Sequence, residues 1–104
     1  MRKANVYMHG ILAGIFTEEI RSQKYFFVYE NDYQGPPISH TMPTNKKNYS
    51  FDQFPPLFDG LLPEGAQLEA LLKLEKLDHD DCFGQLIVLG SDLLGAITVE
   101  ELHD

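Results

Sequence analysis

Residues able to carry out acid–base, nucleophilic or metal chemistry are few in this sequence and widely scattered. The four histidines, His9, His40, His79 and His103, show neither of the spacings, H-x-x-x-H or H-x-H, that suit a shared metal ion. The single cysteine, Cys82, has His79 one helical turn away but no third group to orient that base. The pattern therefore predicts no metal site, and it favours Cys82 as a small buried hydrophobe on a helix.

Adjacent carboxylates are the remaining candidates for general acid–base catalysis. They occur at Glu18-Glu19, Asp80-Asp81 and Glu100-Glu101. Neighbouring residues point in different directions on a helix or strand, so such pairs are typical of solvated faces or helix starts. The sequence contains neither a glycine-rich phosphate loop nor a G-x-S-x-G nucleophile elbow. We therefore predict a protein that is not an enzyme and holds no cofactor.

Acidic side chains dominate the charge of the chain. Among 104 residues, 16 Asp and Glu stand against 8 Lys and Arg, which gives a net charge of −8. Such a surface repels phosphate backbones, so the composition predicts no direct nucleic-acid binding. The two basic pairs, Arg2-Lys3 and Lys46-Lys47, are expected to be solvated surface charges. The overall field favours a basic partner without identifying one.

Three features predict a cytoplasmic location. One cysteine cannot form an internal disulfide, which fits a reducing compartment. The sequence has no run of about 18 apolar residues, so no membrane span is expected. The apolar stretch near the N-terminus is short and interrupted by Asn5, His9 and Gly10, which makes a poor signal peptide.

The N-terminal half has the pattern of a small sheet. Two short apolar runs around Gly10 predict a β-hairpin, and Lys24 to Tyr29 is the strongest strand signal. Residues 38–42 are predicted to form one more short extended piece. The polar stretch from Thr44 to Ser50 predicts a loop.

The C-terminal half has helical patterns and one closing strand. Prolines within residues 54–65 allow a single helical turn, and Gln67 to Leu77 has the spacing of a helix. A second helix is expected to begin at Asp80-Asp81 with Asp78 as its N-cap. Residues 95–99 predict a last strand. The order predicts an α+β fold for residues 1–104 as a single domain, with a small, curled antiparallel sheet from the N-terminal half packed with short C-terminal helices.

One loop is unusually apolar. Prolines and glycines normally accompany polar surface loops, but residues 54–65 place large apolar groups around them. Such a loop either plugs its own core or forms an adhesive patch, and both alternatives stay open here. The candidate partner-binding residues are Leu57, Phe58, Leu61, Leu62, Pro63, Glu64, Gly65, Ala66 and Gln67.

The same loop resembles a known family signature. Residues 58–65, FDGLLPEG, resemble the FF-x-x-LLPEG motif in the N-terminal subdomain of HipA-type serine/threonine kinases. Further blocks agree in order and spacing: Val6 to Gly14, Phe27 to Tyr29, Pro37 to Ser39, Met42-Pro43, Phe83 to Leu86, Gly90 to Asp92 and Gly95 to Ile97. The family usually has an arginine soon after LLPEG, whereas residues 66–69 supply none.

The resemblance implies a function through another protein. The chain ends where the kinase core of a HipA-type protein would begin, so it is similar to HipS, the small antitoxin of three-component HipBST systems. The implied partners are a separate HipT-like kinase toxin and, indirectly, a HipB-like DNA-binding protein. In this interpretation the loop from Leu61 to Gln67 blocks the kinase cleft or holds an inactive conformation. The alternatives are a non-inhibitory regulatory or stabilising subunit, or an accessory component of a transcriptional autoregulation complex.

Overall fold

A five-stranded antiparallel sheet forms one layer of the protein, and short helices from the C-terminal half form the other. The structure is a computed structural model that describes residues 1–93 and 95–102. The strands are β1 (Arg2–Met8), β2 (Ile11–Ile20), β3 (Lys24–Tyr29), β4 (Asn48–Phe51) and β5 (Ile97–Leu102), in the spatial order β4-β3-β2-β1-β5. The predicted α+β class with an antiparallel sheet is confirmed.

The hairpin between β1 and β2 turns where the sequence predicted. Met8 pairs with Ile11 across the turn, and His9 and Gly10 have φ angles of 51° and 80°. Two consecutive positive φ values match the twist of the flanking strands, and glycine adopts this conformation without a steric cost. Local residue types therefore decide this turn.

The segment between β3 and α1 differs from its prediction. Part of the stretch predicted as a loop is β4, which pairs Tyr49 with Phe27 and Phe51 with Tyr25. The extended piece predicted at residues 38–42 does not pair with the sheet. Its backbone polar groups bond to a side chain instead, because the buried Tyr29 hydroxyl accepts from the Ile38 N–H at 3.0 Å and donates to the Met42 carbonyl at 2.5 Å. The Tyr29 hydroxyl thus satisfies one backbone group at each end of this piece in the absence of a strand partner.

Three helices and a 3₁₀ turn make up the second layer. They are α1 (Pro56–Asp59), α2 (Gly65–Glu75), α3 (Cys82–Leu89) and the 3₁₀ turn Gly90–Asp92. The predicted proline-started turn is confirmed by α1, which has Pro56 in its first turn. The N-cap of α3 is Asp81 rather than Asp78, because the Asp81 carboxylate accepts a hydrogen bond from the Gly84 N–H at 3.0 Å. None of the helices in the described residues is long and apolar enough to cross a membrane.

Phe16, at the centre of β2, joins the two layers. Its ring centroid lies 4.3 Å from that of Phe58 in α1 and 5.3 Å from that of Phe83 in α3. All three rings are fully buried, and aromatic pairs of this kind each add about 0.5–1.5 kcal/mol beyond the burial of their surface. The helices therefore pack on the face of the sheet that carries Phe16. This packing fixes the position of the apolar loop, because Phe58 belongs to it.

Candidate partner-binding site

The segment Leu57–Gln67 has one side in the core and the other at the surface. Phe58 is fully buried against Phe16, whereas Leu57, Leu61, Leu62 and Pro63 are half-buried. The residues from Glu64 to Gln67 are exposed. Both readings of the apolar loop, core plug and surface patch, therefore describe the segment, each on a different side.

Backbone hydrogen bonds hold this segment in one conformation. The Leu61 N–H donates to the Phe58 carbonyl at 3.0 Å, and the Leu62 N–H donates to the Asp59 carbonyl at 3.1 Å. Pro63 then follows, and α2 begins two residues later at Gly65 with a φ of 60°. Proline lowers the number of conformations available to the free chain, so little entropy remains to be lost when a partner binds.

Two hollows lie on either side of Leu62–Glu64, which we call the ridge. The larger, here called the ridge groove, has a volume of about 610 Å³. Its apolar lining comes from Leu61, Leu62, Pro63, Leu89 and Leu93, and its acidic lining from Glu64 and Asp92. The smaller hollow has a volume of about 190 Å³ and lies beside Asp59, His79 and Cys82. The ridge therefore stands between two concave surfaces that include α3.

Among the described residues, no lysine or arginine lines either hollow. Among the residues that line them, Asp59, Glu64 and Asp92 carry formal negative charges at neutral pH. His79 also lines the smaller hollow, and its Nε2 lies 2.7 Å from a Glu69 oxygen. The site therefore combines apolar surface with an acidic rim.

A second cluster of charges lies where the sheet meets α3. The guanidinium of Arg2 approaches a Glu18 oxygen at 2.6 Å and an Asp81 oxygen at 2.7 Å, and it also lies 5.1 Å from the centroid of the Phe83 ring. Arg21 lies 3.5 Å from Asp81. We call Arg2, Glu18 and Asp81 the ion cluster.

The ion cluster corrects the expectation of solvated surface charges for Arg2 and Glu18, whereas Asp81 lies at a helix start, as the sequence predicted. Glu18 and Asp81 are only 3% and 6% exposed, while their sequence neighbours Glu19 and Asp80 are exposed as expected. The antiparallel register sets Arg2 opposite Glu18, and the start of α3 brings Asp81 over the same guanidinium. Buried carboxylates require such pairing because their desolvation is costly.

The pKa values of Arg2, Asp81 and the neighbouring Tyr25 depart from their usual values. Burial opposes ionisation of Asp81, but hydrogen bonds from Arg2 and the Gly84 N–H outweigh it and hold the pKa of Asp81 below its usual value. Burial also disfavours the charged form of Arg2, yet bonds to Asp81 and Glu18 raise its pKa overall. Burial, with the nearby Glu18 carboxylate, raises the pKa of Tyr25 to about 12. The carboxylate of Asp81 and the guanidinium are therefore held charged.

Cys82 does not have the surroundings of a nucleophile. It is the first residue of α3 and is half-buried beside the smaller hollow. Burial raises the pKa of its thiol, and the charges of Asp59, Asp81 and Asp80 raise it further. A protonated thiol is a weak nucleophile. Within residues 1–93 and 95–102 no three His, Cys, Asp or Glu side chains are placed to hold a metal ion; His103 lies outside the described residues.

The family model for the HipA N-terminal domain matches residues 4–100, which is nearly the whole chain. The chain belongs to the HipA N-terminal domain family. The solved structure titled "N-terminal domain of HipA toxin" superposes with a TM-score of 0.78 at 27% identity, covering 100% of this chain and 95% of that one. The resemblance inferred from the LLPEG motif is thus confirmed at the level of the family.

Two curated relatives of this HipA N-terminal domain differ in length. An uncharacterized protein of Haemophilus influenzae is 31% identical over 101 residues, covering 97% of this chain and 93% of that protein. The putative kinase Y4mE of Sinorhizobium fredii is 29% identical over 100 residues, covering 93% of this chain but only 24% of the kinase. The matched region is therefore nearly all of one relative and about a quarter of the other.

The sequence prediction missed part of the site. Leu89, Asp92 and Leu93 line the ridge groove, although they lie more than 20 positions beyond the ridge in sequence. The family block at Gly90 to Asp92 marked this region as part of the resemblance. Its closeness to the ridge depends on the packing of α3 against the sheet.

Proposed function

We propose that this chain is the antitoxin of a tripartite toxin–antitoxin system and that it binds and neutralises a separate HipA-like serine/threonine kinase of the HipT type. The observation that carries the proposal is the surface of Leu57–Gln67, where half-buried apolar side chains meet the exposed start of α2. Such a rigid apolar surface in an acidic domain suits contact with another protein. A HipB-like DNA-binding protein would join the complex through the kinase.

Family membership supports the choice of partner. In the putative kinase Y4mE the related region makes up 24% of one longer chain. A domain that binds as a separate chain loses translational and rotational freedom, and its contacts must offset that cost. A domain fused to its kinase is already attached and does not meet this cost. A preorganised loop meets this requirement better than a flexible one.

The mechanism has two forms that lead to the same phenotype. The ridge and the exposed residues up to Gln67 either enter the kinase cleft or hold the kinase in an inactive conformation. In both forms this chain contributes contacts and no catalytic group. We expect the isolated chain neither to bind ATP at millimolar concentration nor to phosphorylate itself, and isothermal titration with ATP tests this.

Co-expression tests the direction of the effect. The chain is expressed together with a HipT-like kinase toxin, and growth is compared with expression of the kinase alone. Restored growth supports an antitoxin. Unchanged or stronger toxicity, with both proteins present, contradicts the proposal and favours a non-inhibitory regulatory subunit.

Three substitutions test whether the ridge region makes the contact. Glu64→Ala, Ala66→Asp and Gln67→Lys alter exposed residues, so each should change the free energy of unfolding by about 0.5 kcal/mol or less. At least one should weaken kinase binding and neutralisation about tenfold or more. Glu75→Ala, at the exposed opposite end of α2, is the matched control. If all three variants neutralise like the wild type, the contact lies elsewhere on the domain.

A further inference from the structure

The ridge groove extends the candidate site to residues that the sequence prediction did not assign. Resting on the proposed function, we propose that this groove receives an apolar side chain of the kinase whose neighbouring lysine or arginine lies against Asp92 and Glu64. The partner surface would then include the end of α3 and the 3₁₀ turn as well as the loop.

The shape of the groove suits an apolar side chain. Its apolar lining combines Leu61 and Pro63 from the loop with two leucines from the end of the helical layer. These are Leu89, the last residue of α3, and Leu93, which follows the 3₁₀ turn. Leu93 is buried and the others are half-buried, so the floor is packed while its upper surface stays open to solvent. A volume of about 610 Å³ is within the range of pockets that bind ligands without large rearrangement.

The charge of the rim points to the chemistry of the occupant. Asp92 and Glu64 are both exposed, and neither forms an ion pair within the described residues. Within residues 1–93 and 95–102, no basic residue lines the groove. A lysine or arginine beside an inserted apolar group would gain from both carboxylates, and complementary charge also favours rapid association.

The same charges argue against a second copy of this chain as the occupant. Each copy carries a net charge of −8 and would present its own acidic rim to the other. Like charges across an interface oppose association. A kinase surface with basic residues has no such penalty.

The test compares two charge reversals of equal size. Asp92→Lys changes the groove rim, and Asp32→Lys makes the same change at an exposed site that lines a different hollow. Both variants are first checked for unchanged thermal midpoint and monomeric mass. Binding to the same HipT-like kinase, inactivated by substitution of its catalytic base, is then measured by titration at about 50 and 200 mM salt.

We expect Asp92→Lys to weaken binding about tenfold or more and to reduce its salt dependence, while Asp32→Lys stays within about threefold of the wild type. Equal losses of affinity for both variants would show that binding responds only to the net charge of the chain, and this would overturn the inference. Near-wild-type binding by Asp92→Lys would do the same. A dimer of the chain alone that Asp92→Lys dissociates would assign the groove to a second copy, which also contradicts the inference.

The outcome separates this inference from the proposed function. If the wild type binds the kinase and the Glu64, Ala66 or Gln67 variants lose binding while Asp92→Lys retains it, the groove assignment fails alone. If the wild type does not bind the kinase, both fail together.

Discussion

Two acidic regions of the molecule, the ion cluster and the ridge groove, deal with their charges in opposite ways. In the ion cluster, Glu18 and Asp81 are buried and share the guanidinium of Arg2. In the ridge groove, Glu64 and Asp92 are exposed beside apolar surface, and the part of the chain that the structure describes adds no lysine or arginine to the lining. The first region is complete within the chain. The second is, in our proposal, completed by a basic partner.

Because the two regions differ in this way, we expect substitutions in one to change stability and substitutions in the other to change binding. Substitutions in the core and the ion cluster should lower the free energy of unfolding and affect binding only through the folded fraction. Substitutions at the exposed ridge and groove rim should leave unfolding nearly unchanged.

Phe58→Ala should give the largest loss of stability. The side chain is fully buried and stacks on Phe16, and truncating a core phenylalanine costs about 3–5 kcal/mol. Urea unfolding measures the change, and Gln67→Ala, on the exposed part of the same segment, should cost about 0.5 kcal/mol or less. A near-neutral Phe58→Ala would mean that the loop does not plug the core.

Arg2→Ala should lower the free energy of unfolding by about 2–3 kcal/mol. The change removes the cation that Glu18 and Asp81 share and leaves only the exposed Arg21, 3.5 Å from Asp81. The partial exposure of Arg2 keeps the cost below that of a fully buried pair. Lys3→Ala, at the neighbouring residue of β1, is the control and should be nearly neutral. Equal effects from Arg2→Ala and Lys3→Ala would show that the ion cluster adds no specific stability.

The difference between wild type and Arg2→Ala should shrink in acid. In the folded chain the pKa of Asp81 is below its usual value of 3.8, so its contribution to stability is present at neutral pH. That contribution is lost as the pH falls from the unfolded pKa through the lower folded pKa. Urea unfolding at pH 7, 5 and 3 measures the difference. A constant difference across this range would contradict the assigned role of Asp81.

The smallest effect is expected at Cys82, where the rate of thiol alkylation is measured instead of the free energy of unfolding. Its raised pKa leaves less thiolate at a given pH, and half-burial restricts access. Alkylation by iodoacetamide at pH 8 should therefore be slower in the folded chain than in urea, where the thiol regains its ordinary pKa. Faster alkylation in the folded state would revive Cys82 as a candidate nucleophile.

Local residue patterns determined several features of this protein without the structure. The hairpin turn at Gly10, the aromatic strand β3 and the proline-started α1 follow from backbone conformations that these residue types favour. The LLPEG motif and the blocks around it also indicated the family. The apolar and rigid character of the loop was evident from its composition.

Only the tertiary structure decided which distant residues meet. Arg2 and Asp81 are 79 positions apart, and their pairing depends on where α3 lies against the sheet. β4 became a strand because β3 offers it an edge and the core accepts Tyr49 and Phe51, and Leu89 and Asp92 joined the ridge because of the packing of α3. Such contacts arise from long-range packing, which local propensity and periodicity do not encode.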